Sequence, residues 1–285
     1  MTAKIEVVRP GIFATVQDLG RPGLAAIGVG RSGAADRGSL RLANRLVGNP
    51  EQNAALEVVL GGLVLRFSAP ATVAVTGAPC TITAGGRAVG PHAPIHLRAG
   101  EDLVLGTASQ GLRCYVAVRG GVDVPAVLGA RATDTLGKLG PPALSAGMTL
   151  PVGTRVLDHP GVDLAPRASL PEEPVLRVSP GPRLAWFTSD ALSTLVSSGF
   201  VATSDVDRVG VRLSGPALSR AREGELPPEA AVPGALQIPP SGQPILFLAD
   251  HPVTGGYPVI AVVDETDLDL AAQIRPGQRV RFRPA

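Results

Sequence analysis

A mostly β fold is what this sequence predicts, and three observations carry it. Apolar residues make up 45% of the chain but fall in short runs. Tight-turn residues separate those runs: 35 glycines and 28 prolines in 285 residues. Few stretches hold a 3.6-residue period long enough for a helix. Many short strands with corners between them suit closed or partly closed barrels. The length fits one large or two medium domains and suffices to bury about three quarters of the unfolded surface. With only 18% charged residues, disorder is not expected.

In order, Lys4 to Val8 reads as a first strand, stopped by Pro10 and Gly11, and Phe13 to Val16 as a second. The stretch Asp18 to Glu57 organises the rest of the chain. Asp18, Gly20, Arg21, Pro22 and Gly23 make one corner; Gly28, Gly30, Ser32, Gly33 and Asp36 make another, where glycine permits close backbone approach. A helix is predicted from Arg37 to about Val47, closed by Gly48, Asn49 and Pro50. At about 100° per residue, Leu40, Leu42, Ala43, Leu46 and Val47 share its inner side. Arg37, Arg41, Asn44 and Arg45 share the outer one.

Ala54 to Val59 and Leu63 to Phe67 read as strands paired across Gly61 and Gly62. Ala71 to Thr76 follows, then a hairpin of Cys80 to Ala84 with Arg87 to Val89. Ile95 to Leu97, Leu103 to Gly106 and Arg113 to Val118 complete a first set. Gly120 to Met148 is a long connection whose polar members are Arg131, Thr133, Asp134 and Lys138; a surface loop accounts for it, though loops of that length are uncommon unless functional or mobile. Asp158 to Pro174, rich in proline, reads as a linker, giving domains 1–165 and 166–285. The second contains strands at Val175–Val178, Phe200–Ser204, Gly210–Leu213, Gly234–Ile238, Ile245–Ala249, Val259–Val263 and Arg279–Phe282. Its one clear helix is capped at Thr188 or Ser189, runs through Val196 and stops at Gly199.

Composition also narrows function. A net charge of +2 with one Trp, two Tyr and six Phe offers no basic, aromatic-studded surface for nucleic acid. No run reaches the 18 apolar residues of a spanning helix, and MTAKIEVVRPG lacks a signal-peptide apolar core. The expectation is a cytoplasmic protein without membrane contact. Cys80 and Cys114 are too few for a disulfide scaffold and read as buried thiols. His92 and His96 have the spacing of a helical metal pair, but Pro91 and Pro94 forbid that helix, so no metal site is expected. There is no phosphate-binding GxxxxGK[ST] run and no GxSxG elbow.

Two corners remain as candidate ligand sites, although a solvated helix face accounts equally for the first and a structural turn for the second. Asp18, Arg21, Ser32, Gly33, Asp36 and Asn44 form the first; Asp207, Arg208, Asp250, Thr254, Gly255, Gly256 and Tyr257 form the second, with Gln273 beside it. Guanidinium groups of Arg21, Arg31, Arg37 and Arg208 suit a carboxylate, which they can grip bidentately.

The motifs ATVQDLGRPG (14–23), GVGRSGAADRGSLRLANRLVGN (28–49), YVAVRGGVDVPAVLGARATDTLGKLG (115–140), VDRVGVRLSGP (206–216) and GALQIPPSGQPILFLADHPVTGGYPVIAVV (234–263) carry a resemblance. On them the chain resembles the biotin-dependent carboxyltransferase family, also called allophanate hydrolase subunit 2-like or KipA. The resemblance implies two tandem cyclophilin-like β-barrel domains with short helices. It implies work beside a subunit-1-like or KipI-like partner, the B subunit. The family includes the C subunit of ATP-dependent 5-oxoprolinase, which acts with A and B subunits to open 5-oxo-L-proline to L-glutamate. It also includes the part of urea carboxylase that moves a carboxyl group from carboxybiotin to urea, and KipA-like regulators that bind a KipI-like kinase inhibitor. The first of these is the expected function, with a small amide as substrate. ATP is expected mainly on another subunit, and biotin on a partner carrier if the second holds. Carried over, Asp18, Arg21, Asp250 and Tyr257 are the expected catalytic residues. Ser32, Gly33, Asp36, Asn44, Asp207, Arg208, Thr254, Gly255 and Gly256 are the expected cofactor-binding ones. Where the family reads DRQTTGGYP, this chain has His251 and Pro252 in place of Arg and Gln.

Overall fold

The computed structural model describes residues 3–159, 162–166, 169–224 and 226–285. The chain divides into two compact units. The first comprises Met1–Arg21, Ser32–Asp134 and Lys138–Ser169; the second comprises Pro22–Arg31, Thr135–Gly137 and Leu170–Ala285. Of the linker expected over 158–174, residues 160, 161, 167 and 168 lie outside the described residues.

The first unit holds β1 (Lys4–Pro10), β2 (Phe13–Gln17), helix α1 (Arg37–Leu46), β3 (Ala55–Val59), β4 (Leu63–Phe67) and β5 (Ala71–Gly77). Then come β6 (Ile82–Ala84), β7 (Arg87–Val89), β8 (Ile95–Leu97), β9 (Asp102–Leu105), β10 (Arg113–Val118) and β11 (Thr149–Pro151). They form two sheets, in the orders β11-β1-β4-β9-β6-β7 and β2-β3-β10-β5-β8. Val7, Leu65 and Leu103 of one sheet meet Val16, Val58 and Val116 of the other in a shared core. Each such side chain contributes about 1.5–3 kcal/mol on burial. Strand β10 is buried on both faces. Cys114, Val116 and Val118 point into the core between the sheets, while Tyr115 and Ala117 pack with Leu40, Ala43 and Leu46 of α1.

Two expectations are corrected here. The strands on either side of Gly61 and Gly62 do not pair with each other: β3 joins β2 and β10, and β4 joins β1 and β9. The two glycines, at φ +82° and +77°, carry the chain from one sheet to the other instead of closing a hairpin. A Cβ on Gly61 would lie 2.0 Å from the Gly106 carbonyl oxygen, so only glycine passes there. On α1, Asn44 is fully buried rather than outward-facing. Its amide donates to the carbonyls of Asn53 (2.8 Å) and Glu51 (3.2 Å) and accepts from the Asn49 amide (2.9 Å).

The second unit holds β12 (Val175–Pro180), α2 (Ala191–Ser197), β13 (Gly199–Val206), β14 (Gly210–Ser214), β15 (Glu229–Ala230) and β16 (Ala235–Gln237). It continues with β17 (Ile245–Phe247), β18 (Thr254–Gly255), β19 (Val259–Val263), α3 (Leu268–Ala271) and β20 (Arg279–Pro284). Seven strands close a barrel in the order β12-β19-β16-β17-β14-β13-β20. Its interior is filled by Leu176, Phe200, Val211, Leu246, Ile260 and Phe282, with the two phenylalanine rings edge to face at 5.9 Å. The cap of α2 is Asp190 rather than Thr188 or Ser189, and Gly199 opens β13 instead of ending the helix. Thr188, two positions earlier, bonds the Asp190 carboxyl through its hydroxyl and holds it below the usual range. Among the described residues no helix is long and apolar enough to cross a membrane.

Candidate functional site

In the first unit the chain leaves β2 at Asp18, which is nearly buried. Its Oδ1 accepts from the Gly20 N–H (2.8 Å) and its Oδ2 from the Arg131 N–H (2.6 Å). Its own carbonyl accepts from the Ala34 N–H (2.8 Å). Asp18 thus ties the first corner, the second corner and the long connection together. Arg21 is buried and threads into the same connection. It donates to the carbonyls of Ala132 (2.5 Å) and Val127 (3.4 Å), with Asp134 3.8 Å from its Nη1. A ligand carboxylate would have to compete with those contacts.

Ser32 is buried at φ +52°, its hydroxyl donating to the Thr133 carbonyl (3.2 Å). Gly33, at φ +89°, brings the second corner against the first: a Cβ there would sit 2.7 Å from the Gly20 nitrogen. Asp36 is the N-cap of α1, accepting from the Ser39 N–H (2.8 Å) and hydroxyl (2.6 Å), as the cap of a helix start should.

Behind this loop lies a polar cluster that sequence reasoning missed. Glu57 accepts from the Tyr115 hydroxyl (2.7 Å) and the Ala35 N–H (3.0 Å), and Arg113 stands 3.5 Å away. The Tyr115 oxygen in turn accepts from the Asp36 N–H (2.8 Å). Burial pushes the Tyr115 hydroxyl well above its ordinary value, and the charges of Glu57 and Asp36 add to that. The available signal was a carboxylate inside the apolar run AALEVV: Glu57 and Tyr115 are direct cross-strand partners.

A cavity of about 270 Å³ opens in this unit. Asp18, Gly20, Asn53, Asp123, Arg131 and Arg155 are among its lining residues. Of the residues singled out from the sequence as site residues, only Asp18 lines it. Arg131 donates to Asp123 (2.7 Å). Each oxygen of Asp18 accepts one bond from the backbone, and a carboxylate offers about four acceptor sites. The lining therefore brings two carboxylates, Asp18 and Asp123, and two arginines, Arg131 and Arg155, to one small volume. That combination suits a small ligand with both an N–H and a carboxylate.

In the second unit, β14 and β17 run antiparallel, which places Arg208, just before β14, beside Asp250, just after β17. The pair is bidentate, at 2.9 Å (Nε to Oδ2) and 2.8 Å (Nη2 to Oδ1), and both residues are 2% exposed. Thr135 adds two donors to Oδ2, its N–H (2.9 Å) and its hydroxyl (2.7 Å). Asp207 folds a turn by accepting from the N–H groups of Val209 (2.8 Å) and Gly210 (3.0 Å).

Thr254 and Gly255 form β18 against Glu229 and Ala230. A Cβ on Gly255 would lie 2.5 Å from the Gln237 amide nitrogen. The Gly256 carbonyl accepts from Leu226, and the Tyr257 carbonyl from Gln237 (3.0 Å). Asp207 and Thr254 are exposed at this corner and Tyr257 is half-buried. His251 is buried and stacks on Phe247 at 5.9 Å. Its Nδ1 lies 2.7 Å from the Pro252 carbonyl, an acceptor only, so that nitrogen carries the proton. Burial lowers its pKa, opposed by that carbonyl and by the Asp250 charge. Gln273 is buried in this unit. Among the described residues no group of His, Cys, Asp and Glu side chains has the geometry of a metal site.

Short strands, a closed barrel and two polar corners at strand ends define the described residues as a β protein with polar loops at its strand ends. Residues 27–284 match the model of the carboxyltransferase domain, subdomain A and B, and the chain belongs to that family. It is 36% identical to the C subunit of 5-oxoprolinase from Escherichia coli (strain K12) over 281 residues, 98% of this chain and 90% of that protein. Among solved structures it resembles TTHA0988, at 36% identity and a TM-score of 0.90, over 99% of this chain but 56% of that one. It also resembles the K. lactis urea amidolyase, at 30% identity and a TM-score of 0.92, over 99% of this chain and 19% of that one.

Proposed function

We propose that this chain is the C subunit of a 5-oxoprolinase, opening 5-oxo-L-proline to L-glutamate together with A and B subunits in the cytoplasm. The observation that carries the reading is the 36% identity to a 5-oxoprolinase C subunit across 90% of that protein's length. The first unit's cavity supports it chemically. Arg131 and Arg155 suit the lactam's carboxylate, and Asp18 has acceptor sites left for the ring N–H. Tyr257 and Thr254 supply the reachable hydroxyls of the other corner. In this reading ATP is held mainly by another subunit, in keeping with a sequence that has no phosphate-binding GxxxxGK[ST] run.

A second reading is transfer of a carboxyl group from carboxybiotin to urea or a related amide. It is favoured by the carboxyltransferase description of the family and by the likeness to a urea amidolyase. The biotin would then arrive on a partner's carrier domain.

The test is co-expression with the subunit-1-like protein and the A subunit, followed by measurement of glutamate release from 5-oxoproline. ATP-dependent release that disappears when this chain is left out supports the first reading. A well-folded complex that releases no glutamate, yet carboxylates urea in the presence of carboxybiotin, replaces it with the second.

A further inference from the structure

The chain has two cysteines, and the fold puts them side by side in the first unit. Cys114 lies within β10, fully buried between neighbours β3 and β5. Cys80 lies in the link 78–81 between β5 and β6, and is only partly buried. The two sulfurs are 4.0 Å apart, and neither is in a disulfide. Cys114 Sγ is also 3.3 Å from the Ala78 carbonyl. Its single S–H can point at that oxygen or at Cys80, not at both. Pointed at Cys80 it stabilises a thiolate there; this lowers the Cys80 pKa against the opposing effect of burial. A thiolate is the form that reacts with oxidants.

We propose that Cys80 and Cys114 form a peroxide-responsive dithiol site, with Cys80 the oxidised residue and Cys114 the resolving one. In the first step a Cys80 sulfur lone pair attacks a peroxide oxygen. The O–O bond breaks, Cys80 becomes a sulfenic acid, and one water leaves with the added proton. In the second step the Cys114 sulfur attacks the Cys80 sulfur, a disulfide forms, and a second water leaves. Two thiols and one hydrogen peroxide thus give one disulfide and two waters. A disulfide is about 2.05 Å long, so the sulfurs must close by roughly 2 Å. Cys114 is fixed in a strand paired on both sides, whereas Cys80 sits outside regular structure and supplies the movement. Partial exposure admits peroxide to Cys80 and not to Cys114. Reversible bonds of this kind are the usual use of disulfides in reducing compartments.

The experiment treats the purified full-length chain with hydrogen peroxide, alkylates it with a maleimide and maps the peptides by mass spectrometry. The expected result is loss of both alkylatable thiols and one intrachain link between residues 80 and 114, reversed by dithiothreitol. Cys114→Ala is expected to accumulate a Cys80 sulfenic acid that dimedone labels. Cys80→Ser is expected to leave Cys114 unoxidised at the same dose. Full alkylation of both thiols after treatment would overturn the proposal. So would a Cys80 sulfinic acid beside a reduced Cys114, or links only between separate chains. The wild-type map needs no substitution, so a variant that fails to fold leaves the test intact.

Discussion

Replacing Asp250 with alanine is expected to unfold the second unit before it informs on chemistry. The substitution leaves the Arg208 guanidinium, 2% exposed, without its bidentate partner. Removing one member of a buried ion pair costs about 3–5 kcal/mol. The Thr135 N–H and hydroxyl lose their acceptor as well, at about 1 kcal/mol or more in total. A loss of about 4–6 kcal/mol follows. With a urea slope near 2 kcal/mol/M, the unfolding midpoint falls by roughly 2–3 M. The chain's one tryptophan, Trp186, packs against the core of this unit, so its fluorescence reports the transition directly. Pairing Asp250→Leu with Arg208→Met removes both charges and is expected to recover most of the loss. A midpoint for Asp250→Ala within about 0.5 M of wild type would refute the reasoning. Lost glutamate release in that folded variant would then report on chemistry.

Tyr115→Phe strips a partner from both Glu57 and the Asp36 N–H and is expected to cost about 1–3 kcal/mol, read as a lowered melting temperature by circular dichroism; an unchanged melting temperature would contradict the cluster's structural role. Gly33→Ala places a methyl 2.7 Å from backbone at φ +89°, whereas Gly23→Ala at φ +85° meets nothing within 4 Å. The first is expected to abolish soluble protein and the second to cost about 1–2 kcal/mol of strain alone; equal effects would show the corner to be looser than described. His251 has its folded pKa below the ordinary 6.5, so the unfolded chain binds the proton more tightly. Its contribution to stability is present above pH 6.5 and lost as pH falls through the lower folded value. His251→Gln should flatten that fall in urea midpoints between neutral and mildly acidic pH, and a fall of unchanged steepness would assign it elsewhere. Arg155→Ala should raise the KM for 5-oxoproline in the assembled complex by roughly 10–100-fold, the loss of one charged hydrogen bond; an unchanged KM would move the substrate away from this cavity.

The strands were legible because their pattern is local. Ile95–Leu97 and Arg87–Val89 stand where apolar alternation and turn residues put them. Pairing was less so: Gly61-Gly62 reads like a hairpin, but the turn that crosses between sheets uses the same residues, and only the surroundings of Gly106 distinguish them. Thr149–Pro151 and the two-residue strands β15 and β18 carry too few residues for a periodic signal. At the corners, the polar residue types were visible and their partners were not. Asp18, Arg21 and Asp250 stood out as reactive groups, yet their bonds run to Arg131, Ala132 and Thr135, more than 100 positions away. Asn44 shows the same limit: helical phase placed it outside, and the loop carbonyls of Glu51 and Asn53 draw it in.

Asp250 and Thr135 are separated by 115 residues of chain. On a ribosome adding about 5–20 residues per second, Thr135 emerges roughly 6–23 s before its acceptor exists. During that interval the segments Pro22–Arg31 and Thr135–Gly137, which fold with the second unit, have no barrel to join. Only synthesis of the last strand, Arg279–Pro284, completes the barrel with which both segments fold.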